Sequence, residues 1–172
     1  MKRNKKIKRF STIIIVLLFV YTSLPSFAYQ FNGWVLSNPL NVKFKVGASV
    51  GSYSNLVSTS ANQWNSCPEI TIYKTTGSGE NIFFVGSYSV NTGNYAVTYH
   101  SSNNYHTITL YKDFKDSNDS IRKETVVHEV GHALGLAHCQ SYLNSVSVMR
   151  ETGFNGVNGP MSDDKAGIAS LY

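Results

Sequence analysis

The chain has 172 residues, of which 42% are hydrophobic and 13% aromatic, a composition typical of one globular domain and unlike that of a disordered or fibrous protein. The formal net charge of +5 arises at the amino terminus, because six of the 15 lysines and arginines lie within the first nine positions. Beyond residue 28, nine basic and ten acidic residues leave a net charge of −1, and no basic patch or base-stacking motif is present, so nucleic acid is excluded as the expected partner.

The first 28 residues have the layout of a secretory signal peptide. A basic start is followed by an apolar run from Ile13 to Val20, by Pro25 and by the small-residue pattern Ser26-Phe27-Ala28. Even generously counted, the apolar stretch is shorter than the ~20 residues that span a bilayer, which favours cleavage after Ala28 over an uncleaved membrane anchor. We therefore expect a secreted, extracellular protein, without stable membrane association, whose mature domain covers residues 29–172.

The first two thirds of this domain show strand patterns and one helical pattern. The alternation in Asn41–Val46 predicts a strand, and helical spacing of apolar residues predicts an amphipathic helix over Val50–Trp64. Further β-rich runs predict strands at Ile70–Tyr73, Asn81–Tyr88 and Tyr95–His100.

The most regular strand pattern is Tyr105–Tyr111. Its odd-numbered residues share one face, whereas His106, Ile108 and Leu110 share the other. The longest helical pattern, Asp119–Leu136, follows, and it begins at a polar stretch suited to N-capping. Beyond Ala137 the chain is expected to be irregular until a short closing helix over Ser162–Leu171, with Ser162 or Asp163 as its cap.

The longest predicted helix carries histidines at a spacing that suits one metal ion. His128 and His132 are four residues apart and therefore lie on the same helical face. Gly135, which has no Cβ, can adopt a left-handed conformation, end the helix and bring His138 back toward the same ion. Three neutral imidazoles leave a fourth position open to water, as in catalytic sites. The spacing predicts one catalytic Zn²⁺ held by His128, His132 and His138.

Glu129 follows the first predicted ligand and is the predicted general base. Its carboxylate can hydrogen-bond a zinc-bound water, accept a proton during attack on a peptide carbonyl, and return a proton to the leaving amine. An ordinary amphipathic helix with surface histidines would rarely bring these residue types together at such spacing by chance. The predicted function is a zinc-dependent endopeptidase, a hydrolase that needs no covalent intermediate.

The motif HEVGHALGLAH resembles the extended zinc motif of the metzincin peptidases. Ser147-Val148-Met149 resembles the methionine turn that underlies the metal in that clan, and the segment from Pro160 to Tyr172 resembles the end of a matrixin catalytic domain. This resemblance implies an α+β, zincin-like fold with a twisted, mixed, mostly parallel sheet, an active-site helix and a short C-terminal helix. It also implies an antiparallel edge strand that binds a protein or peptide substrate in extended conformation. We expect a monomer.

Other features of the carboxyl-terminal part refine this resemblance. In the family, an Asp-Asp pair such as Asp163 and Asp164 ties the last helix to the methionine turn or to the chain's amino end, although simple helix capping is the alternative. Arg150 and Glu151 stand where the family often has a proline. No tyrosine lies two residues after Met149, which argues against the astacin and serralysin branches.

Three possible accessory sites stay open at this point. Secretion favours a disulfide between Cys67 and Cys139, the alternatives being free thiols or a Cys139 thiolate that competes for the metal. His100 and His106 could hold a second, structural zinc, but two histidines on a strand surface are favoured. A calcium site is undecided, because the clustered aspartates lack the glycine and glutamate of a defined loop. These aspartates are Asp113, Asp116 and Asp119.

Two alternatives to the predicted peptidase remain. One is a catalytically silent zinc-binding adhesion or toxin-like module, against which the presence of Glu129 argues, because metal binding alone would not require that residue. The other is a peptidase of another metzincin branch. Packing of the last helix on the methionine turn would separate that branch from a matrixin.

Overall fold

The structure is a computed structural model that describes residues 29–154 and 156–172, so the predicted signal peptide lies outside the described residues. Within them, five strands form one sheet in the order β2-β1-β3-β5-β4. The strands are β1 (Val42–Val46), β2 (Ile72–Lys74), β3 (Ile82–Gly86), β4 (Ala96–Ser102) and β5 (Tyr105–Leu110). The pairs β1–β2, β1–β3 and β3–β5 are parallel, whereas β4 lies at the edge and pairs antiparallel with β5. The predicted mixed, mostly parallel sheet with an antiparallel edge strand is confirmed.

The strand patterns predict the sheet well where side chains alternate between the core and the surface. In β1, Val42 and Phe44 are buried, and in β5 the buried residues are His106, Ile108 and Leu110. The prediction for β2 began too early. The Ile70 amide donates to the carbonyl of Cys67 in a turn, and pairing with β1 starts only after that turn ends.

The helices are α1 (Ser54–Ala61), α2 (Lys112–Asp116), α3 (Asp119–Ala133) and α4 (Ser162–Leu171). The sequence analysis did not predict α2, which spans a little over one turn. The predicted helix over Val50–Trp64 is α-helical only in α1, with 3₁₀ turns on both sides. Gly51, at φ 60° and ψ −130°, interrupts it, because this backbone conformation cannot continue a helix.

The two predicted helices of the last third are confirmed, and one of their predicted caps is wrong. In α3 the Asn118 side chain accepts a hydrogen bond from the Ile121 amide at 3.0 Å, as the polar start indicated. In α4 the cap position belongs to Met161 rather than to Ser162 or Asp163. The carboxylate of Asp164, in the first turn of α4, accepts a hydrogen bond from the Met161 amide at 2.7 Å. This bond gives a partner to a backbone amide at the start of the helix.

The core places the middle of α3 against α1 and the sheet. Trp64, just after α1, is fully buried, and its indole N–H donates to the Val127 carbonyl of α3 at 3.0 Å. Helix α3 also packs against β4 and β5. Because the residues after Val127 carry the predicted chemistry, this packing brings them beside the edge strand. No helix among residues 29–154 and 156–172 is long and apolar enough to cross a membrane.

Candidate metal centre and active site

The end of α3 redirects the chain between the second and third predicted ligands. Gly135 has φ 102°, and its amide donates to the His132 carbonyl while the Leu136 amide donates to the Gly131 carbonyl, both at 3.0 Å. These two bonds are those of a helix end with a left-handed glycine. A Cβ at Gly135 would lie 2.5 Å from the Trp34 carbonyl oxygen, so the position requires glycine sterically as well. The predicted left-handed turn is confirmed.

The structure brings the three predicted ligand side chains to one point. The Nε2 atoms of His128 and His132 are 3.0 Å apart, and each lies 3.2 Å from Nε2 of His138. Nδ1 of His128 lies 3.0 Å from the Val148 carbonyl, and Nδ1 of His132 lies 2.8 Å from the Leu136 carbonyl. Because a carbonyl only accepts, each Nδ1 carries the proton and each Nε2 keeps its lone pair.

Converging lone pairs repel one another unless a cation lies between them, so this geometry fits a metal ion. Among residues 29–154 and 156–172, these histidines form the one group of three or more possible ligands that are close enough to share an ion. Three imidazole nitrogens are a donor set that zinc prefers when one position stays open. The carbonyls that hold the two Nδ1–H groups fix the ring orientations.

The surroundings keep these imidazoles neutral. Burial lowers the pKa of His128 well below its usual range and that of His132 to about 4. His138 is more exposed, and partial burial lowers its pKa as well. Near neutral pH all three rings therefore present lone pairs rather than protons to the common point.

A methionine turn lies beneath this group. A Cβ on Gly131 of α3 would lie 2.3 Å from Sδ of Met149, so the buried thioether packs directly against the helix between the first two histidines. The Asp164 carboxylate accepts hydrogen bonds from the Ser147 hydroxyl and, at 2.8 Å, from the Val148 amide. Helix α4 is thus tied to the methionine turn through Asp164, as the matrixin resemblance implied.

Glu129 lies beside the histidines and contacts the edge strand. The Thr98 hydroxyl of β4 is 2.6 Å from Oε2 of Glu129, to which it donates. Burial raises the pKa of Glu129 to about 7, and the Thr98 hydrogen bond opposes that rise by stabilising the carboxylate. No sequence pattern points to Thr98, because a threonine in a strand is ordinary and its partner lies 31 positions away along the chain.

The histidines and Glu129 open into a cleft of about 730 Å³. Residues of β4 and the preceding Tyr95 line the cleft, as does the segment Glu151–Phe154, which follows the methionine turn. The Phe154 ring lies 5.1 Å from the His128 ring and stacks on Tyr95 at 5.9 Å. This volume lies within the range of ligand-binding pockets.

The amino-terminal end of the described chain supports the bend around the third histidine. The Asn32 side-chain amide donates to the His132 carbonyl at 2.8 Å and to the Leu136 carbonyl at 3.2 Å. The Ala137 amide donates to the Gln30 carbonyl at 2.7 Å. These contacts were not foreseen, because Asn32 lies about 100 positions from its partners and carries no local motif.

The expected disulfide is wrong, since Cys67 and Cys139 are both free and buried. Cys67 is packed into the core at the end of the 3₁₀ turn after α1, whereas the Cys139 thiol lies 3.7 Å from Oδ1 of Asn144, in the loop before the methionine turn. Burial raises the pKa of both thiols, that of Cys67 to about 11. Cys139 also lies outside the group of ligand atoms that could share an ion.

Placing His106 on a strand surface is wrong as well. His106 is fully buried on the face of β5 that also carries Ile108 and Leu110, in register with Ile82 of β3, and its Nδ1 lies 3.0 Å from Nδ1 of His100. His100 is partly exposed and stacks on Trp34. Burial lowers the pKa of His106 to about 4. The described residues place no third ligand with this pair.

The clustered aspartates before α3 contact basic side chains. Asp116 pairs with Lys112 within α2, and Asp119 pairs with Arg122 at 2.8 Å within α3. Each pair joins residues three or four positions apart within one helix, an arrangement that contributes little to stability where solvent screens the charges.

Comparisons with known proteins agree with this geometry. The family model of the matrixins, peptidase M10, matches residues 58–172. Two structures of myroilysin are similar in fold, one with a TM-score of 0.63 at 14% identity, covering 84% of this chain and 98% of that one. The other has a TM-score of 0.61 at 16% identity and covers 82% and 86%. A chain of the GM1-bound form of the ECX AB5 holotoxin has a TM-score of 0.59 at 15% identity, covering 84% of each chain. No curated protein sequence matches the chain significantly.

Proposed function

Because the chain belongs to the matrixin family, we propose that it is a secreted zinc-dependent endopeptidase in which His128, His132 and His138 hold one catalytic ion and Glu129 is the general base. The observation that carries this proposal is the convergence of three Nε2 lone pairs within 3.2 Å of one another, beside a buried carboxylate. A bound Zn²⁺ would polarise the scissile carbonyl and lower the pKa of a water molecule.

The edge strand supports binding of an extended peptide. Among the described residues β4 pairs on one side with β5, so its other side offers backbone amides and carbonyls to a further strand. Thr98 lies within β4 and contacts Glu129, so a peptide bound along this strand passes directly by the general base. Main-chain pairing of this kind recognises backbone rather than sequence, which suits an endopeptidase.

Glu129 performs the proton transfers in this proposal. Its carboxylate accepts a proton from the attacking water and delivers a proton to the leaving amine. The Thr98 hydroxyl holds Oε2 in place, which leaves Oε1 as the oxygen available to the water. The His128 and His132 rings stay fixed during the reaction, because their Nδ1–H groups donate to backbone carbonyls.

Glu129→Gln tests the mechanism. The amide keeps the shape of the side chain but cannot accept a proton, so we expect kcat/KM to fall by about 10²–10⁴-fold. One zinc per chain should remain, measured by elemental analysis, while cleavage is measured on a peptide library with and without a chelator. Glu80→Gln, which makes the same chemical change in the loop before β3, is the matched control. Full activity of Glu129→Gln, or cleavage that the chelator does not affect, would contradict the proposal.

Secretion is a proposal that rests on the basic and apolar pattern of residues 1–28. Expression of the full chain in a secreting host should release a protein that begins at Tyr29, as determined by amino-terminal sequencing of the medium. A chain retained in the cell with residues 1–28 still attached would show that this segment is not a cleaved signal.

A further inference from the structure

A buried ion pair lies one helical turn before the first proposed ligand. Glu124 of α3 is 0% exposed and Arg150, which directly follows Met149, is 4% exposed. Nε of Arg150 lies 3.7 Å from Oε1 of Glu124. Either charge alone would be strongly unfavourable in this environment, so each side chain requires the other. No step of the proposed reaction uses this pair.

The Glu124 carboxylate also binds the backbone shortly after the segment Glu151–Phe154 that lines the cleft. Its Oε2 accepts hydrogen bonds from the amides of Gly156 and, at 3.1 Å, of Val157. Gly156 has φ 87°, and a Cβ there would lie 2.2 Å from the Ser120 hydroxyl oxygen. The chain therefore lies against α3 at this position, where a larger residue would push it away.

Arg150 binds the backbone before Phe154, whereas Glu124 binds it after Phe154. Its guanidinium donates to the Ser147 carbonyl at 3.2 Å and, more weakly, to the Gly153 carbonyl at 3.4 Å. The first contact joins it to the methionine turn, and the second joins it to the segment Glu151–Phe154. We call this segment the cleft wall, because all four residues line the cleft.

Between these two anchors, the cleft wall places an aromatic ring beside the proposed metal site. The Phe154 ring lies 5.1 Å from the His128 ring and stacks on Tyr95 with an interplanar angle of 20°. The Tyr95–Phe154 contact joins the residue that precedes β4 to the cleft wall. Arg150 contacts the backbone just before Phe154, at Gly153, and Glu124 contacts it just after, at Gly156.

We infer that Glu124 and Arg150 are positioning residues that fix the cleft wall, and thereby decide which substrate side chains fit next to His128. This inference rests on the proposed peptidase function. With the pair intact, Phe154 and Tyr95 present an aromatic surface at a fixed distance, which selects an apolar side chain of limited size. Without the pair the wall moves, and the selection becomes broader.

The test uses the double variant Glu124→Leu/Arg150→Met, because removing both charges avoids the unpaired buried charge that could unfold either single variant. Leucine also has no oxygen that could accept hydrogen bonds from the Gly156 and Val157 amides. We expect one zinc per chain and an unchanged kcat. KM for the best library peptide should rise about tenfold, and the preference for one side chain beside the cut should flatten. Asp119→Asn, which removes an exposed acidic charge from the same helix, is the matched control and should change none of these values.

Hydrogen exchange separates this inference from the proposed peptidase function. The amides of Gly156 and Val157 should exchange at least about tenfold faster in the double variant than in the wild type or in Asp119→Asn, whether or not any variant cleaves peptides. Phe154→Ala leaves the ion pair intact and should broaden the peptide preference in the same way as the double variant.

Three results would overturn the inference. They are unchanged exchange at both amides, an unchanged peptide preference in Phe154→Ala, and an equal loss of kcat and zinc in the double variant, which would place the pair's effect on the metal site. In contrast, a wild-type protein that binds zinc but cleaves no peptide would contradict the proposed function, while the exchange result would still decide whether the pair holds the wall.

Discussion

At Glu129, burial and hydrogen bonding act in opposite directions on one carboxyl group. Burial raises its pKa to about 7, and the Thr98 hydroxyl stabilises the charged form that a general base needs. A group that titrates close to the working pH combines basicity with a sufficient deprotonated fraction. In the proposed mechanism, the edge strand therefore contributes to the chemistry through the Thr98 side chain as well as binding the substrate backbone.

Thr98→Val should shift the acidic limb of the pH–activity profile upward. Valine keeps the branched shape but cannot donate to Glu129, so the charged form loses stability and the pKa of the carboxyl rises by about one unit. Activity should fall on the acidic side and recover at higher pH, with zinc content unchanged. Thr107→Val, the same change in β5, is the control. An identical limb in the wild type and Thr98→Val would show that the hydroxyl does not act on the base.

His106 should make the folded state sensitive to acid. Its pKa is about 4 in the folded protein and about 6.5 when exposed, so between these values the unfolded chain binds more protons. The neutral ring makes its full contribution to the free energy of unfolding above about pH 6.5. This free energy decreases by up to about 3 kcal/mol as the pH falls toward 4. Urea unfolding of wild type and His106→Phe between pH 7 and 4 measures this. Equal slopes of unfolding free energy against pH would contradict the assignment.

Among the elements, α4 is connected to the proposed metal site through the methionine turn. Asp164 accepts hydrogen bonds from Ser147, Val148 and Met161, and the Val148 carbonyl in turn accepts from Nδ1 of His128. The short helix α4 is therefore linked to the ring of His128, the first proposed ligand, by two successive hydrogen bonds that both involve the backbone of Val148. The sequence resemblance implied this connection, but the particular acceptor, Asp164 rather than Asp163, is seen only in the structure.

Asp164→Ala should therefore weaken both stability and zinc binding. Leaving buried donors without an acceptor costs about 1–3 kcal/mol each, so we expect a loss of roughly 3 kcal/mol in the free energy of unfolding. Zinc affinity should fall by about 10–100-fold, because an outer contact of a ligand is disturbed. Lys165→Ala, at an exposed position of the same helix, should change neither value. Unaltered zinc affinity in Asp164→Ala would show that α4 does not support His128.

Elements that depend on local pattern were predicted better than elements whose bounds depend on neighbours. The alternation predicted β5 with nearly correct bounds, because its buried residues alternate along the whole strand. The first residue of α3 was predicted correctly from its polar start, although the middle of this helix, residues 124–131, is buried on all sides. The helical spacing from Val50 to Trp64 also described a buried face correctly. Gly51 nevertheless divides this segment, because its backbone must turn there to bring α1 beside α3.

For the whole molecule, we expect the metal to couple folding to activity. The proposed ligands come from α3 and from the bend after it, so the unfolded chain has no preformed site. An ion present at 1,000 times its dissociation constant stabilises the folded state by about 4 kcal/mol, which corresponds to a Tm roughly 10 °C higher for a domain of this size. Calorimetry with zinc, and after treatment with a chelator, measures the difference. An unchanged Tm after verified metal removal would contradict the proposed site.

The amino-acid sequence by itself was sufficient for the features that one continuous segment carries. Residues four apart on a helix must share a face, and a glycine after them can reverse the chain, so the convergence of His128, His132 and His138 follows from local geometry. The topology of the sheet followed from the family resemblance and not from the strand patterns, which do not contain the order of the strands.

The tertiary structure decided every contact between residues that are far apart in the chain. Three side-chain contacts join segments that lie next to each other only after the sheet and α3 have packed. They are the contacts of Thr98 with Glu129, of Asn32 with the His132 carbonyl, and of Arg150 with Glu124. The state of Cys67 and Cys139 also depended on it, since a sequence gives the number of thiols but not the direction in which each one points. Local spacing is a property of the chain, whereas the environment of a buried carboxylate or thiol is a property of the packed core.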